Sequence, residues 1–152
     1  RYARAIVAAR TDAPIERSGR LVEILTAATP AAVQRAGQPA KRVFQALRIE
    51  VNSELEAVEN AVTGYLDLLR TDGRAVFMSY HSLEDKIVKR ELSERTASRT
   101  PAGLPVELPG HGPEFAAVTR GAEKASQDEI DHNPRSASVR VRCVRRIDGR
   151  NS

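Results

Sequence analysis

Apolar residues recur at steps of three and four through the middle of the chain, which is the pattern of a helix that buries one face. The pattern predicts one long helix, or two joined with a kink, from about Pro39 to Leu69. Gly64 is the expected place for an irregularity, because glycine weakens a helix interior. The stripe comprises Phe44, Leu47, Val51, Leu55, Val58, Val62, Tyr65 and Leu69.

Shorter helices are predicted before this stripe. Residues 3–10 favour a helix that ends near Pro14, since proline cannot continue the hydrogen-bond ladder. Ser18 is the expected cap of a second helix, which ends near Pro30. The first 38 residues contain no strand pattern, so this region is predicted to be helical.

Three later segments have the pattern of strands. An apolar run at 74–79 follows a turn and predicts a buried strand, and residues 115–120 predict a second one. In the segment 139–143, valines and Cys143 alternate with Arg140 and Arg142, so one face is apolar and the other cationic. The fold class is therefore α/β, with a Pro- and Gly-rich exposed, mobile loop predicted at 100–113.

The joint between the first strand and the next helix concentrates polar chemistry. It contains His81, Ser82, Glu84 and Asp85, with Ser82 predicted to cap the helix and Asp85 to complete a capping box. Ligands of open α/β sheets bind at the carboxyl ends of strands, which is where these side chains are expected. The joint is therefore the first candidate site.

Other chemistries fit this joint less well. A hydrolase triad is disfavoured, because no Gly-x-Ser-x-Gly elbow surrounds Ser82. A metal site has ligand types available, including His111 and His132, but no pair has a diagnostic spacing. No metal is therefore expected. Neither a Gly-x-Gly-x-x-Gly loop nor a Walker motif occurs, so no cofactor is expected on this chain alone.

The net positive charge favours an anionic partner but does not identify one. Lys and Arg number 24 against 20 Asp and Glu, giving a net charge of +4. Six arginines lie within the sixteen residues 135–150, a density that suits RNA phosphates and equally suits a solvated sheet face. Lys41 and Arg42 open the long helix, where the dipole disfavours cations, and either mark an anionic partner or have no role. The six are Arg135, Arg140, Arg142, Arg145, Arg146 and Arg150.

The cysteine content and the hydropathy of the chain indicate the compartment in which it is expected. Cys143 is the only cysteine, so an intrachain disulfide and a four-thiolate zinc site are excluded. No apolar run approaches the roughly 20 residues of a membrane span, and a reducing, cytoplasmic setting is expected. The only methionine is Met78, which suggests a piece of a longer protein.

Three blocks together resemble one family. Residues 39–52, 79–89 and 133–136 match, in order and separation, the bacterial ribosomal RNA small subunit methyltransferase H family. The resemblance implies methyl transfer from S-adenosylmethionine to the exocyclic N4 of a cytidine in small-subunit ribosomal RNA. It covers the C-terminal part of the family only. The cofactor-binding motifs come earlier, so this chain alone is expected to be inactive.

The resemblance also implies a fold and a set of roles. Residues 1–37 resemble the end of a helical substrate-recognition insertion, and 38–152 the C-terminal part of a Rossmann-like methyltransferase sheet, with the last strand antiparallel between the other two. Gln38 and Tyr80 depart from the family's usual His and Phe. The expected substrate contacts are Arg48, Asn52, His81, Ser82 and Glu84, and the expected RNA-phosphate contacts are Lys41, Arg42, Arg135, Arg140 and Arg142.

Partners follow from the same resemblance. They are small-subunit ribosomal RNA or the ribosomal subunit, the family's N-terminal half, and a second copy through an open sheet edge. No membrane partner is expected. The alternative function, from the arginine-rich end alone, is a non-catalytic RNA-binding module.

Overall fold

A computed structural model describes residues 1–35 and 39–147, so the position of Gln38 and that of Arg150 lie outside the described residues. The chain divides into two compact units, Arg1–Glu54 and the part from Leu55 onward. Whether the family's insertion ends at residue 37 stays a prediction. Across the described residues, none of the helices combines the length and the apolar character that crossing a bilayer requires.

In its described residues, the first unit contains helices joined by turns and no strand, as predicted. It comprises α1 (Tyr2–Asp12), α2 (Ser18–Ala27), α3 (Ala31–Arg35) and α4 (Pro39–Val51). Leu21, Leu25 and Ala40 form its buried centre, with Ile6 and Phe44 packed against it. Ser18 is not the cap of α2: the N-cap is Arg17, which makes no side-chain cap bond, and Ser18 is the first helical residue.

The long central helix is two helices, and the break is not where glycine suggested. After α4, α5 runs from Glu54 to Leu68 and contains Gly64 without interruption. The irregularity lies at Ser53, whose φ of 49° is left-handed and ends α4. The expectation for Gly64 was therefore wrong, because glycine lowers helix stability without dictating a break.

This break shifts the apolar stripe. Val51 and Tyr65 are 80% and 62% exposed, whereas Leu66, outside the predicted stripe, is fully buried beside Val62. The predicted stripe continues its steps of three and four residues across the break at 52–53. It therefore assigns the wrong residues of α5 to the core.

The second unit contains a three-stranded sheet. Its strands are β1 (Arg74–Ser79), β2 (Phe115–Ala117) and β3 (Arg140–Arg146), in the order β1-β3-β2. Both outer strands pair antiparallel with β3, which confirms the central antiparallel last strand. β2 is shorter than the predicted 115–120 because the amides of Val118 and Thr119 both donate to Cys143 O.

Helices pack on one face of this sheet. α6 (Ser82–Thr96) lies against it together with α5, and α7 (Gln127–His132) and a 3-10 helix (Pro134–Ser138) precede β3. Ser126 caps α7, because its hydroxyl oxygen accepts the amide of Glu129. The buried core comprises Val62, Leu66, Val88, Leu92, Phe115 and Val144.

β1 is buried on one face only, so the prediction of a buried strand was half wrong. Ala75 and Phe77 pack against the core, but Val76 and Met78 are 63% and 56% exposed. Apolar residues on both faces of a strand predict two covered faces. In the described part of the chain, only the face toward α5 and α6 contributes to the buried core.

The cationic side of β3 faces the helices. Arg142 pairs with Asp85 of α6, and Val144, two residues on, is buried in the core. Arg146 is also buried, 5.4 Å from the centre of the Phe115 ring, and donates to the carbonyls of Leu66, Asp67 and Leu69 at the end of α5. These two arginines therefore contribute to internal packing.

The Pro- and Gly-rich segment at 100–113 contains no helix or strand, as predicted, and its mobility stays a prediction. Its two ends are joined by the amide of Arg99, which donates to His111 O at 2.7 Å. Buried Glu114 then accepts hydrogen bonds from Arg95 and Arg99. The segment is thus anchored at its base to the end of α6.

Candidate functional site

The joint between β1 and α6 is closed by a reciprocal capping box. His81 is the N-cap, in extended conformation, and its Nδ1 accepts the amide of Glu84 at 3.4 Å. Glu84 Oε2 in turn accepts the amides of Tyr80 and His81, at 3.0 and 3.3 Å. The predicted box of Ser82 and Asp85 was therefore one residue late, and Ser82 is the exposed first residue of α6.

The capping bond determines where His81 carries its proton. Because Nδ1 accepts, the neutral imidazole is protonated at Nε2. That Nε2 atom is buried and makes no hydrogen bond, although Glu84 Oε1 lies 3.1 Å away, because the alignment is poor. Two polar atoms, His81 Nε2 and Glu84 Oε1, are thus outside the backbone capping bonds.

A small apolar cavity adjoins Glu84. It has a volume of about 160 Å³ and lies between α5, β1 and the first turns of α6. Glu84, Tyr65 and buried Ser79 are its polar lining residues, and the other walls are Val58, Ala61, Val62, Phe77, Met78 and Val88. Sequence reasoning missed the contribution of α5, although the stripe through Val58, Val62 and Tyr65 was the signal for it.

Asp85 fixes α6 to the sheet. Its two carboxylate oxygens accept from Arg142 Nε and Nη2 at 2.8 and 3.1 Å, and both side chains are largely buried. This hydrogen bonding, with the nearby charges of Arg140 and Lys89, lowers the pKa of Asp85 below its ordinary value although burial opposes the shift. The pair holds the start of α6 in place beside the cavity.

The block at 133–136 is built into the same edge of the sheet. Asn133 Oδ1 accepts the amide of Arg135, and the buried Ser136 hydroxyl donates to Asn133 O at 2.8 Å. Because Ser79 is paired in register with Arg140, this block lies just beyond the end of β1. Two of the three sequence blocks are therefore brought together, with Arg135 exposed and Arg140 half-buried.

The third block belongs to the first unit. Arg48 donates to Glu54 through Nε and Nη2, at 2.8 and 3.1 Å, and Asn52 Nδ2 reaches the same carboxylate at 3.3 Å. Arg48 and Asn52 thus share a partner at the break between α4 and α5. Lys41 and Arg42 are exposed on the first turn of α4.

The remaining histidines bond locally. His111 Nδ1 lies 3.1 Å from Pro109 O, and His132 Nδ1 lies 2.6 Å from Asp128 O. Within residues 1–35 and 39–147, no three side chains of His, Cys, Asp or Glu are grouped so as to hold a metal ion.

Comparison with known proteins identifies the family. The family model described as the MraW methylase family matches residues 1–147. The chain belongs to this family. A curated relative, the ribosomal RNA small subunit methyltransferase H of Saccharopolyspora erythraea, is 61% identical over 148 residues, or 97% of this chain and 45% of the relative.

Further relatives of the same name agree. The protein of Clavibacter michiganensis subsp. michiganensis is 59% identical over 152 residues, all of this chain and 48% of the relative. That of Mycolicibacterium gilvum is 57% identical over 150 residues, 98% of this chain and 40% of the relative. The chain spans about half the length of the MraW methylases it matches, in agreement with a match to their C-terminal part.

Proposed function

We propose that this chain is the C-terminal part of a methyltransferase that transfers a methyl group from S-adenosylmethionine to the exocyclic N4 of a cytidine in small-subunit ribosomal RNA. Membership of the MraW methylase family and relatives named ribosomal RNA small subunit methyltransferase H support the reaction class. One observation supports the cytosine amine: a carboxylate with an oxygen outside the capping bonds stands beside an apolar cavity.

Glu84 suits a cytosine amine. Cytosine presents an N4 amino group as a donor, and a carboxylate is the side chain that accepts from it. A hydrogen bond from this amine to Glu84 Oε1 orients the nitrogen and draws electron density toward it, which favours attack on a methyl group. His81 Nε2 carries the donor next to Oε1 and is suited to a base acceptor.

The base has to leave its stack to reach such a pocket. The apolar walls of the cavity would contact its ring faces, and Ser79 and Ser82 lie at the strand end beside them. Exposed Arg135 and half-buried Arg140 follow on the same edge and are proposed RNA-phosphate contacts, as are Lys41 and Arg42 of the first unit. Arg48 and Asn52 remain proposed substrate contacts, and Arg142 a proposed phosphate contact, although its guanidinium is engaged by Asp85.

The residues of this chain do not fit S-adenosylmethionine on their own, because no Gly-rich nucleotide loop occurs in the sequence. We therefore assign the cofactor to the part of the relatives' length that the chain does not span. Calorimetry of this chain with S-adenosylmethionine is expected to show no binding. Micromolar binding would mean that the cofactor site is misplaced.

The same missing part is our proposed partner for β1. An apolar groove of about 340 Å³, lined by Tyr65, Leu68 and Val76 among others, runs along this edge strand and continues into the cavity through Tyr65 and Phe77. A strand supplied by the missing half would pair with β1 and cover this groove. The relatives contain more than half their length outside the match, enough chain to supply it.

Mixing tests this partner. The N-terminal part of the Saccharopolyspora relative should copurify with this chain, and Val76→Lys should abolish copurification while Val7→Lys, at another exposed valine in the first unit, should not. If sedimentation shows instead that the chain associates only with itself, the groove is a homo-oligomer interface and this assignment is wrong.

A chimaera tests the reaction. The chain replaces the matching part of the Saccharopolyspora relative, and methyl transfer to small-subunit ribosomal RNA is followed with labelled cofactor. We expect N4-methylcytidine by mass spectrometry, and a drop in kcat of about 10²-fold for Glu84→Gln, which keeps the cap but replaces a charged acceptor. Lys86→Gln, on the same helix, is the matched control. Methylation at another atom would reject the amine assignment.

The second candidate is a non-catalytic RNA-binding module, which the exposed cations on the sheet edge favour. This module would bind RNA without the missing half, with affinity that falls as salt rises. An inactive chimaera together with salt-dependent RNA binding by the chain would favour it over the methyltransferase.

A further inference from the structure

A second cleft, larger than the cavity beside Glu84, opens on the other side of α6. It has a volume of about 380 Å³ and lies between α6, β3 and the segment that follows β2. It shares no lining residue with the cavity beside Glu84. None of the roles proposed above uses it, apart from Arg142, which contributes to its wall.

The lining of this cleft is cationic. Lys89 and Arg120 stand at it, and in the described part of the chain neither forms an ion pair or a side-chain hydrogen bond. The third cation, Arg142, is neutralised by Asp85. No carboxylate lines the cleft among the described residues, and the acid near Lys89, Asp85, is already bound to Arg142. The lining therefore carries a net positive charge.

Neutral donors complete the lining. The backbone amides of Arg120, Gly121 and Ala122 are adjacent in sequence and donate to no acceptor within the described ranges. None of these three residues has a positive φ, so their amides are available donors without the αR-αL geometry of an anion nest. The hydroxyl of Ser93 is exposed on the α6 side, and Leu92 and Val144 give an apolar floor that lowers the local dielectric and strengthens charge contacts.

The cleft and the cavity beside Glu84 lie along the same helix, α6, and share no lining residue. β1 and β2 are both antiparallel to β3, but β1 ends opposite Arg140 and β2 ends opposite Val144. After β2 the chain follows β3 as far as the bridge between Glu123 and Val141, so the segment 118–122 lies beside the middle of β3. Lys89 follows Glu84 by five residues on α6, a rise of about 7.5 Å along the helix axis.

We propose that this cleft binds a phosphodiester of the RNA strand whose nucleotide occupies the cavity beside Glu84, with Lys89, Arg120 and the amides of Gly121 and Ala122 as its contacts. The proposal rests on the proposed function. It adds an anchor that holds the strand next to the splayed nucleotide and recognises backbone, not sequence.

Inorganic phosphate is the first probe. In amide NMR of the chain, the resonances of Gly121 and Ala122 should shift saturably as phosphate is added at constant ionic strength. The double variant Lys89→Met/Arg120→Met should lose this saturation, with the fold intact because both side chains are exposed. Unchanged Gly121 and Ala122 resonances in the wild-type chain would overturn the site.

RNA binding is the second probe. A single-stranded oligonucleotide from small-subunit ribosomal RNA is titrated at several salt concentrations. Loss of the one proposed phosphodiester contact should reduce the slope of log K against log salt by about 0.7. The matched control is Arg17→Met/Arg70→Met, which removes the same charge from exposed positions away from the cleft, and its slope should change much less.

The outcomes separate this proposal from the proposed function. If the double variant and the control have equal slopes, the cleft is not a phosphodiester site, although RNA binding and methylation can stand. Absence of RNA affinity at low salt overturns the RNA assignment of the cleft, while the chimaera's methyl transfer decides the reaction independently. Saturable phosphate shifts without a slope difference would mean that the cleft holds free phosphate only.

Discussion

Glu84 has a capping role at one carboxylate oxygen and a proposed substrate contact at the other. Oε2 caps the backbone of Tyr80 and His81, and Oε1 faces the side of the joint where His81 Nε2 lies. If the proposed contact is correct, a substitution that removes the whole carboxylate changes folding and chemistry together. A substitution that keeps an acceptor at Oε2 then changes chemistry alone.

Stability should therefore distinguish two variants at this position. Glu84→Ala loses the cap and should lower the free energy of unfolding by about 1 kcal/mol, whereas Glu84→Gln keeps a cap acceptor and should remain close to wild type. Urea unfolding of the chain measures both. Equal losses for the two variants would show that an amide oxygen cannot replace the carboxylate in the cap.

Asp85 makes the stability of the second unit depend on pH. Its folded-state pKa is held below the ordinary 3.8 mainly by the hydrogen bond from Arg142. A depressed carboxyl pKa contributes stability that is fully present above the unfolded value and is lost as pH falls through the folded value. The pair therefore stabilises the fold at neutral pH and weakens in acid.

Asp85→Asn should lower the free energy of unfolding by about 2 kcal/mol at pH 7, because a charged hydrogen bond is lost and Arg142 stays largely buried. The difference from wild type should shrink as pH falls below about 4. Asp12→Asn, an exposed carboxylate in α1, serves as control. A pH-independent difference would contradict the ion pair.

Residue-scale prediction succeeded where the chemistry is local. Residues 81 and 84 share a helical turn because a helix fixes that spacing, and sequence placed both at the strand end. The cap was misassigned because serine is the commoner N-cap; here an extended backbone at His81 lets its imidazole reach the Glu84 amide. Asp85 and Arg142 are 57 residues apart, and no local pattern pairs them.

At the scale of elements, two glycines have opposite environments. A Cβ at Gly73, in the turn before β1, would lie 2.7 Å from Arg70 O, which the Gly73 amide also contacts. A Cβ at Gly64, within α5, would meet nothing within 4 Å. Glycine is therefore required at position 73, where the backbone of Arg70 lies too close for a Cβ, and it is not required at position 64.

Gly73→Ala should therefore lower the free energy of unfolding by about 2 kcal/mol, since backbone must move. Gly64→Ala should raise it by about 0.5–1 kcal/mol, because alanine loses less conformational freedom in a helix. Thermal unfolding of the two variants is the measurement. A stabilised Gly73→Ala would show that the turn is looser than the structure has it.

Arg146 joins β3 to the end of α5. Its Nη1 donates to the carbonyls of Leu66, Asp67 and Leu69 at the end of α5, and its guanidinium lies against Phe115. Leu66 O also accepts the amide of Leu69. Arg146→Met should lower the free energy of unfolding by about 3 kcal/mol, because buried acceptors are left unsatisfied. Arg146→Lys should recover only part of this, since an ammonium lacks the planar fork. Urea unfolding measures these variants. If Arg146→Lys has the same free energy of unfolding as wild type, only the positive charge of Arg146 matters.

At the scale of the whole molecule, element types and their order were predictable, and faces were not. Period-3.6 and period-2 patterns identified the helices and strands, and the resemblance supplied the strand order. The covered face of β3 was not determined by alternation, because Val141 and Arg142 belong to opposite faces and only the position of α6 decides which is inside. The shift of the stripe at Ser53 likewise needs the backbone at that residue.

The position of β3 has a consequence for biosynthesis. It is the central strand of the sheet but the last of the three in chain order, so β1 and β2 have no partner in this sheet until β3 has left the ribosome. Pairing of β1 with β3 bridges more than sixty residues, a long loop to close. The second unit therefore completes its sheet only after synthesis of residues 140–146, and the apolar edge of β1 depends on other protection until then.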